Sequence, residues 1–290
     1  MNKFCLICIF LCVQFLTKSH AQNFREGDSL FRAAQHDASL LAYERAYYEI
    51  TEFPDSSLSA EAIQNAQNAC LLRKVYCLKA IGKFEEASKI ALRFDLNKLP
   101  DSSQYVLRNE VIVCYFLSGS YEDAISQIEQ LQFFVKDSTL KYQSDIWKIM
   151  ALTHLRRYAE AKQCFNGYVL RRKRSVNVDS VFAFADKNRF KNVKKAEALA
   201  TFLPGVGMMY VGNTTEGLIS LGLQLGTLGF AGYSFWKGYY LSGFLTGFGL
   251  FQSFYFGGIR RTELLANKKN QYLADDNARQ ITNVLLKLEQ

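Results

Sequence analysis

The side chains best suited to chemistry in this chain are Cys70, Cys77, Cys114, Cys164, His36 and His154, with the adjacent carboxylates Glu85-Glu86 and Glu122-Asp123. None falls into a reactive pattern. The sequence holds no HExxH helix, Cys/His cluster, GxGxxG or Walker loop, or GxSxG elbow, so it encodes no motif for metal, phosphate or acyl chemistry. The paired carboxylates sit where helices would start, and solvated charges at helix starts explain them better than acid–base work. An exported chain with an even cysteine count could carry disulfides. Cys70 and Cys77, however, are two helical turns apart, roughly 10 Å, beyond the ~7 Å Cα separation a disulfide allows. The four cysteines are expected as small buried helix residues. No catalytic residue, cofactor or metal ligand is expected, and the chain reads as a non-enzyme.

Binding and anchorage remain, and the elements that would provide them begin at the N-terminus. Met1-Asn2-Lys3 precedes the apolar run "FCLICIFLCVQFL", and "KSHA" closes with Ser19 and Ala21 at the positions a signal peptidase reads. Residues 1–21 are therefore expected to be a secretory signal, with an uncleaved anchor as the alternative. Either way the next segment is exported. Charge is unevenly spread. Residues 22–170 carry 17 basic and 19 acidic residues, whereas residues 171–195 carry nine basic and two acidic. This basic segment directly precedes an apolar stretch, so its expected partner is anionic lipid headgroups rather than nucleic acid.

Residues 22–170 read as helix after helix, with apolar residues recurring at three and four positions in "CLLRKVYCLKAI" and "VIVCYFL". "PDSS" at 54–57, "PDSS" at 100–103 and "KDST" at 136–139 carry Asp and Ser, good helix caps, and should start helices. A period is present. "GKFEEASKIA" (82–91), "GSYEDAISQI" (119–128) and "RRYAEAKQCF" (156–165) align without gaps at a spacing of 37 residues. Gly82 and Gly119 would end the first helix of each pair. Phe84, Tyr121 and Tyr158 would staple the turn. Ala87, Ala124 and Ala161 would let the second helix approach closely.

This pattern resembles the tetratricopeptide (TPR) repeat, whose turn reads G-x-Y-x-x-A. The resemblance covers roughly residues 60–170, and "ASLLAYERAYYEITEFP" (38–54) is similar to the second helix of an earlier copy, with Ala42 and Pro54 twelve apart. Related helical-hairpin repeats share the same logic. The resemblance implies an all-α solenoid of stacked hairpins that binds a protein or peptide along its first helices. On that basis Arg73, Tyr76, Arg108 and Lys148 are candidate partner-binding residues, with solvated surface residues as the alternative.

The second half changes character. Gly217–Trp236 contains 20 residues without a charge, and Gly238–Ile259 adds 22 more after Lys237. Each is long enough to cross a hydrocarbon core of about 30 Å. The expectation is a transmembrane helical hairpin with spans at about 214–236 and 238–259, tipped by aromatic residues suited to an interface. A buried core hairpin of a soluble domain is the alternative. Gly222 with Gly226, and Gly243 with Gly247, form GxxxG pairs that permit close helix packing within the hairpin or between copies. Pro204, Gly205, Gly207, Tyr210 and Gly212 are similar to the P-G-x-G-Q-x-Y-x-G entrance motif of TM2-like bacterial membrane hairpins, with Met208 in place of Gln. The resemblance implies an interfacial elbow over 200–213, for which a surface loop is the alternative.

The expected organisation is a signal at 1–21, a TPR-like domain at 22–170, a basic juxtamembrane linker at 171–195, a membrane domain at 196–261 and a polar helical tail at 262–290. Two spans would leave Arg260, Arg261, Lys268 and Lys269 on the exported side, against the positive-inside rule. A third span over 197–212 would reverse this. The functional expectation is a membrane-anchored, extracytoplasmic scaffold of a bacterial envelope, inner membrane favoured, that binds another envelope protein. The alternative is a glycine-driven homo-oligomer, pore-like or membrane-remodelling, regulated by the repeats.

Overall fold

The structure, a computed structural model, describes residues 24–186 and 189–289. The expected signal sequence lies outside them. All described secondary structure is helical. The chain divides into two compact units, Met1–Val176 and Asn177–Gln290, and the boundary falls inside the basic segment.

The N-terminal unit contains α1 (24–32), α2 (His36–Glu52), α3 (Ala60–Ala80), α4 (Phe84–Ala91), α5 (Asp101–Leu117), α6 (Tyr121–Phe134), the short α7 (Ser138–Lys141), α8 (Asp145–His154) and α9 (Tyr158–Arg171). From α2 to α6 each helix packs on its chain neighbour; α8 then packs on α6 and α9 on α8. One turn recurs. At Gly82, Gly119 and Arg156 the backbone is left-handed, with φ of 78°, 81° and 59°. Each turn makes the same two hydrogen bonds back into the preceding helix, as in Gly82 N to Lys79 O and Lys83 N to Leu78 O, 3.1 and 2.9 Å. This is the Schellman arrangement, and it satisfies carbonyls the helix end would otherwise strand. Ala87, Ala124 and Ala161 follow five residues later and are fully buried.

The same turn closes two further helices of this unit, α9 at Lys173 and α1 at Ala34. Ala34 has φ 57°, its amide and that of Gln35 bond to Phe31 O and Leu30 O, and His36 and Ser39 hold the aromatic and small positions. The copy's small residue is thus Ser39, three residues before Ala42. Ser39 is buried, and its hydroxyl donates to Gly27 O at 2.8 Å.

The Asp-Ser turns divide in role. Asp137 caps α7 by accepting from Thr139 N at 2.8 Å. After the first "PDSS" the helix waits until Ala60, where Ser59 is the cap, and Asp55 closes a local turn on Ser57 instead. Asp101 opens α5, but its carboxylate accepts the amides of Lys136 and Asp137, both at 2.8 Å, and so ties the end of α6 to the start of α5.

Leu71, Val75 and Leu78 of α3, Ala87 and Ala91 of α4, and Val111 and Cys114 of α5 form one core cluster. A second holds Ile112, Ile128, Leu131 and Val135. Each such large aliphatic contributes roughly 1.5–3 kcal/mol on burial.

Cys70, Cys77 and Cys114 are fully buried free thiols, and Cys164 is partly buried. Burial pushes the Cys70 and Cys114 thiols up to about 12, so the reactive thiolate is scarce at any ordinary pH. Peptide-resolved mass spectrometry after iodoacetamide treatment at pH 8 should find Cys164 alkylated and Cys70, Cys77 and Cys114 protected until denaturant is added. Equal labelling of all four would refute this core.

The C-terminal unit contains α10 (Val178–Val181), α11 (Ala183–Asp186), α12 (Val193–Phe202), α13 (Val206–Val211), α14 (Thr214–Trp236), α15 (Tyr240–Ser242), a π-helical turn (Gly243–Phe248) and α16 (Gly249–Glu289). The expected break between a second apolar segment and a polar tail does not occur. Residues 259–289 hold no Gly or Pro, so α16 runs unbroken for 41 residues, about 60 Å at the helical rise. Its start packs with the π-turn beside α14, and it also packs on α12 and α13. Two turns in this unit repeat the geometry of the first unit: Gly212 with Thr214 and Gly217, and Gly238 with Tyr240 and Gly243, the two leading glycines at φ 101° and 81°.

Candidate functional site

The N-terminal unit presents a shallow cavity of about 350 Å³ between α3 and α5. Asn65, Ala69 and Leu72 line one side, and Ser102, Ser103 and Val106 the other. It contains no charged side chain. Its end is fixed by Asn68, whose amide bonds the backbone of Asp95 in both directions, at 2.7 and 2.9 Å. Val106 is exposed there. Uncharged amides, hydroxyls and small apolar groups of this kind can hold an extended or helical peptide by short-range contact, without selecting for its charge.

The four residues expected to bind a partner occupy different settings. Arg73 is taken up by the fold: its Nε donates to Asp28 Oδ1 at 2.9 Å, and its guanidinium lies 5.0 Å from the Phe24 ring centre. Tyr43 donates to the same Asp28 oxygen at 2.6 Å. Burial raises the Asp28 carboxyl, but the bonds from Tyr43 and Arg73 outweigh it and hold the group below the usual carboxylate range. Arg108 is buried with its guanidinium 4.4 Å from the Phe134 ring centre. Desolvation lowers its pKa. Tyr76 keeps an exposed edge, with the Lys79 ammonium over its ring. Lys148 pairs with Glu129 at 3.4 Å and lines a second cavity of about 390 Å³ with Asp145, Glu160, Gln163 and Arg171. That cavity carries both signs of charge. Asp145 accepts from Gln132 at 3.0 Å and pairs with Arg171, yet burial still raises its carboxyl above the usual range.

In the C-terminal unit the elbow residues form a close-packed base. Pro204 and Gly205 end α12, and Gly205 starts α13 at φ 80°. A Cβ on Gly205 would lie 2.1 Å from Gly217 O, and one on Gly207 would lie 2.3 Å from Ala196 O. Tyr210 receives two cations on its ring, Lys191 at 5.0 Å and Lys195 at 5.5 Å. The GxxxG pairs differ from each other. Gly243 and Gly247 pack against α14 at Ala231 and Phe235, whereas Gly222 and Gly226 have open space where a side chain would project.

Among the described residues, α14 is the one helix long and apolar enough to cross a membrane by length and composition. Leu218, Ile219, Leu225, Tyr233 and Trp236 point outward from it. Among the described residues no group of three or more His, Cys, Asp or Glu side chains is placed to hold a metal ion. No protein family, curated protein or solved structure matches the chain.

Proposed function

We propose that the chain is a membrane-anchored scaffold: a TPR-like solenoid on the exported side, docking another envelope protein, held by a transmembrane hairpin built around α14. The observation that carries this reading is the pairing, at Ala34, Gly82, Gly119 and Arg156, of one left-handed turn with a fully buried small residue five positions later, Ser39, Ala87, Ala124 and Ala161, with an uncharged cavity between successive first helices. Stacked units of this kind bind along their faces, and each relies on its neighbours to bury its apolar side. The basic segment 171–195 would lie against anionic headgroups. An inner membrane suits helical spans, since outer membranes mostly host barrels.

Site-specific photo-crosslinking in cells tests the proposal on the full-length chain, with the probe at Val106 in the cavity, at Lys89 on α4 as a surface control, and at Gly222 on α14. A discrete envelope protein captured from Val106 but not from Lys89 is the expected result. Equal capture from both would remove the cavity from the account.

The open faces of Gly222 and Gly226 favour the second reading, a hairpin-driven oligomer, over one in which every glycine serves internal packing. Capture of the chain by itself from Gly222, with nothing captured from Val106, would transfer the function to the hairpin.

A further inference from the structure

Two cavities of the C-terminal unit, one apolar and one cationic, meet at a single ion pair. We propose that together they bind one anionic phospholipid, with its phosphate in the cationic cavity and an acyl chain in the apolar one. The inference rests on the reading of α14 as membrane-embedded.

The apolar cavity, about 240 Å³, lies between α14 and α16 and is lined by Ile219, Leu223, Phe254 and Gly257. The cationic cavity, about 380 Å³, is lined by Asn213, Arg261, Lys268, Lys269 and Tyr272. Both include Glu216 and Arg261. Arg261 Nε and Nη2 donate to the two Glu216 oxygens at 2.8 and 3.0 Å, and Asn213 donates to Oε1 at 3.0 Å. The carboxylate is thereby satisfied, while Arg261 Nη1 remains for a further acceptor. Guanidinium and ammonium groups together are the donor set that phosphate favours. Three cations against one carboxylate leave the cavity positive. No ion pair involves Lys268 or Lys269 among the described residues.

The order along α16 matches an amphiphile. Phe254 lies seven residues before Arg261 and Lys268 seven after it, each about 10 Å along the axis. Chemistry changes from apolar to cationic across that span, as it does between the upper acyl chain and the phosphate of a phospholipid. A soluble anion would use the cationic cavity alone. The joined apolar groove is what assigns the ligand to a lipid.

The full-length chain is purified in mild detergent, exposed to an equal mixture of phosphatidylglycerol and phosphatidylcholine, and read by native mass spectrometry. Phosphatidylglycerol should be retained about twenty-five-fold over phosphatidylcholine, since each of the two lysines near an anionic lipid is worth roughly five-fold. Lys268→Gln with Lys269→Gln should abolish that preference, and Lys268→Arg with Lys269→Arg should keep it. Gly257→Leu, whose side chain enters open space, should lower retention of both lipids. Circular dichroism of each variant reports its folding, and the arginine pair carries the test if the glutamine pair does not fold. Equal retention of the two lipids by the wild-type chain overturns the site. So does displacement of phosphatidylglycerol by excess inorganic phosphate with Gly257→Leu silent, which would mark a free-anion site. Release of the chain from membranes by alkaline carbonate, measured separately, would refute the anchor itself whatever the lipid count.

Discussion

Gly205→Ala should destabilise the C-terminal unit by about 2–5 kcal/mol, combining left-handed strain with overpacking. Gly205 sits at φ 80°, where a side chain is strained, and its Cβ would lie 2.1 Å from Gly217 O. That oxygen belongs to backbone in α14 and cannot rotate away. Gly207→Ala carries the overpacking without the strain: its Cβ would meet Ala196 O at 2.3 Å and both Ala200 Cβ and Thr262 Cγ2 at 2.8 Å. About 1–3 kcal/mol is expected. Gly212→Ala carries the strain without the crowding, at φ 101° with nothing nearby, and should cost about 1–2 kcal/mol. Gly222→Ala meets neither and should be neutral or stabilising by up to about 1 kcal/mol. Thermal unfolding of the four variants in detergent should return that order. A Gly205→Ala chain as stable as wild type would mean that α13 and α14 do not approach each other as described.

These glycines also show how much of the molecule can be read from its residues. The Pro-Gly break and the helices flanking it follow from local backbone chemistry, because proline cannot continue a helix and glycine alone enters left-handed geometry freely. The turns at Gly82 and Gly119 are legible for the same reason. The turn at Ala34 is not. Alanine is a strong helix former, and here it is held at positive φ by the helices on either side; histidine and serine replace the aromatic and alanine that mark the other copies. Tertiary packing overrides local preference there. The turns at Gly212 and Gly238 carry the same glycine spacing, but their apolar surroundings draw attention to hydropathy instead. The continuity of α16 escapes a reading by composition, because the change from apolar to polar at residue 260 alters the side chains and not the backbone. In the candidate sites, Arg73 and Arg108 occupy surface-like positions in the sequence pattern. Their partners Asp28 and Phe134 are 45 and 26 residues away, and no local pattern announces such pairings.

Glu44→Ala should cost the N-terminal unit about 2–4 kcal/mol, whereas Lys74→Met should leave it unchanged or slightly more stable. The asymmetry follows from burial. The Lys74 side chain is 3% exposed and its partner Glu44 is 52% exposed. The ammonium also lies 5.6 Å from the Tyr47 ring centre, and the Arg93 guanidinium is 4.9 Å from the same ring. Removing Glu44 leaves a buried cation near a second cation, with only an aromatic ring to compensate. Removing the ammonium instead leaves an exposed carboxylate that water can solvate at little cost, and methionine keeps the apolar stem that packs between α2 and α3. Glu44→Ala combined with Lys74→Met should therefore recover most of the loss. Urea unfolding in a Trp236→Phe background isolates the signal, since Trp147 is then the sole tryptophan and lies in the N-terminal unit at 5.2 Å from Phe116. If Lys74→Met weakens the unit as much as Glu44→Ala does, the pair is a net stabilising bridge and the buried charge is not a cost. If only Glu44→Ala weakens it, the ion pair neutralises a charge that the packing of α2 on α3 has forced out of water, and the stability of that contact comes from the apolar stem.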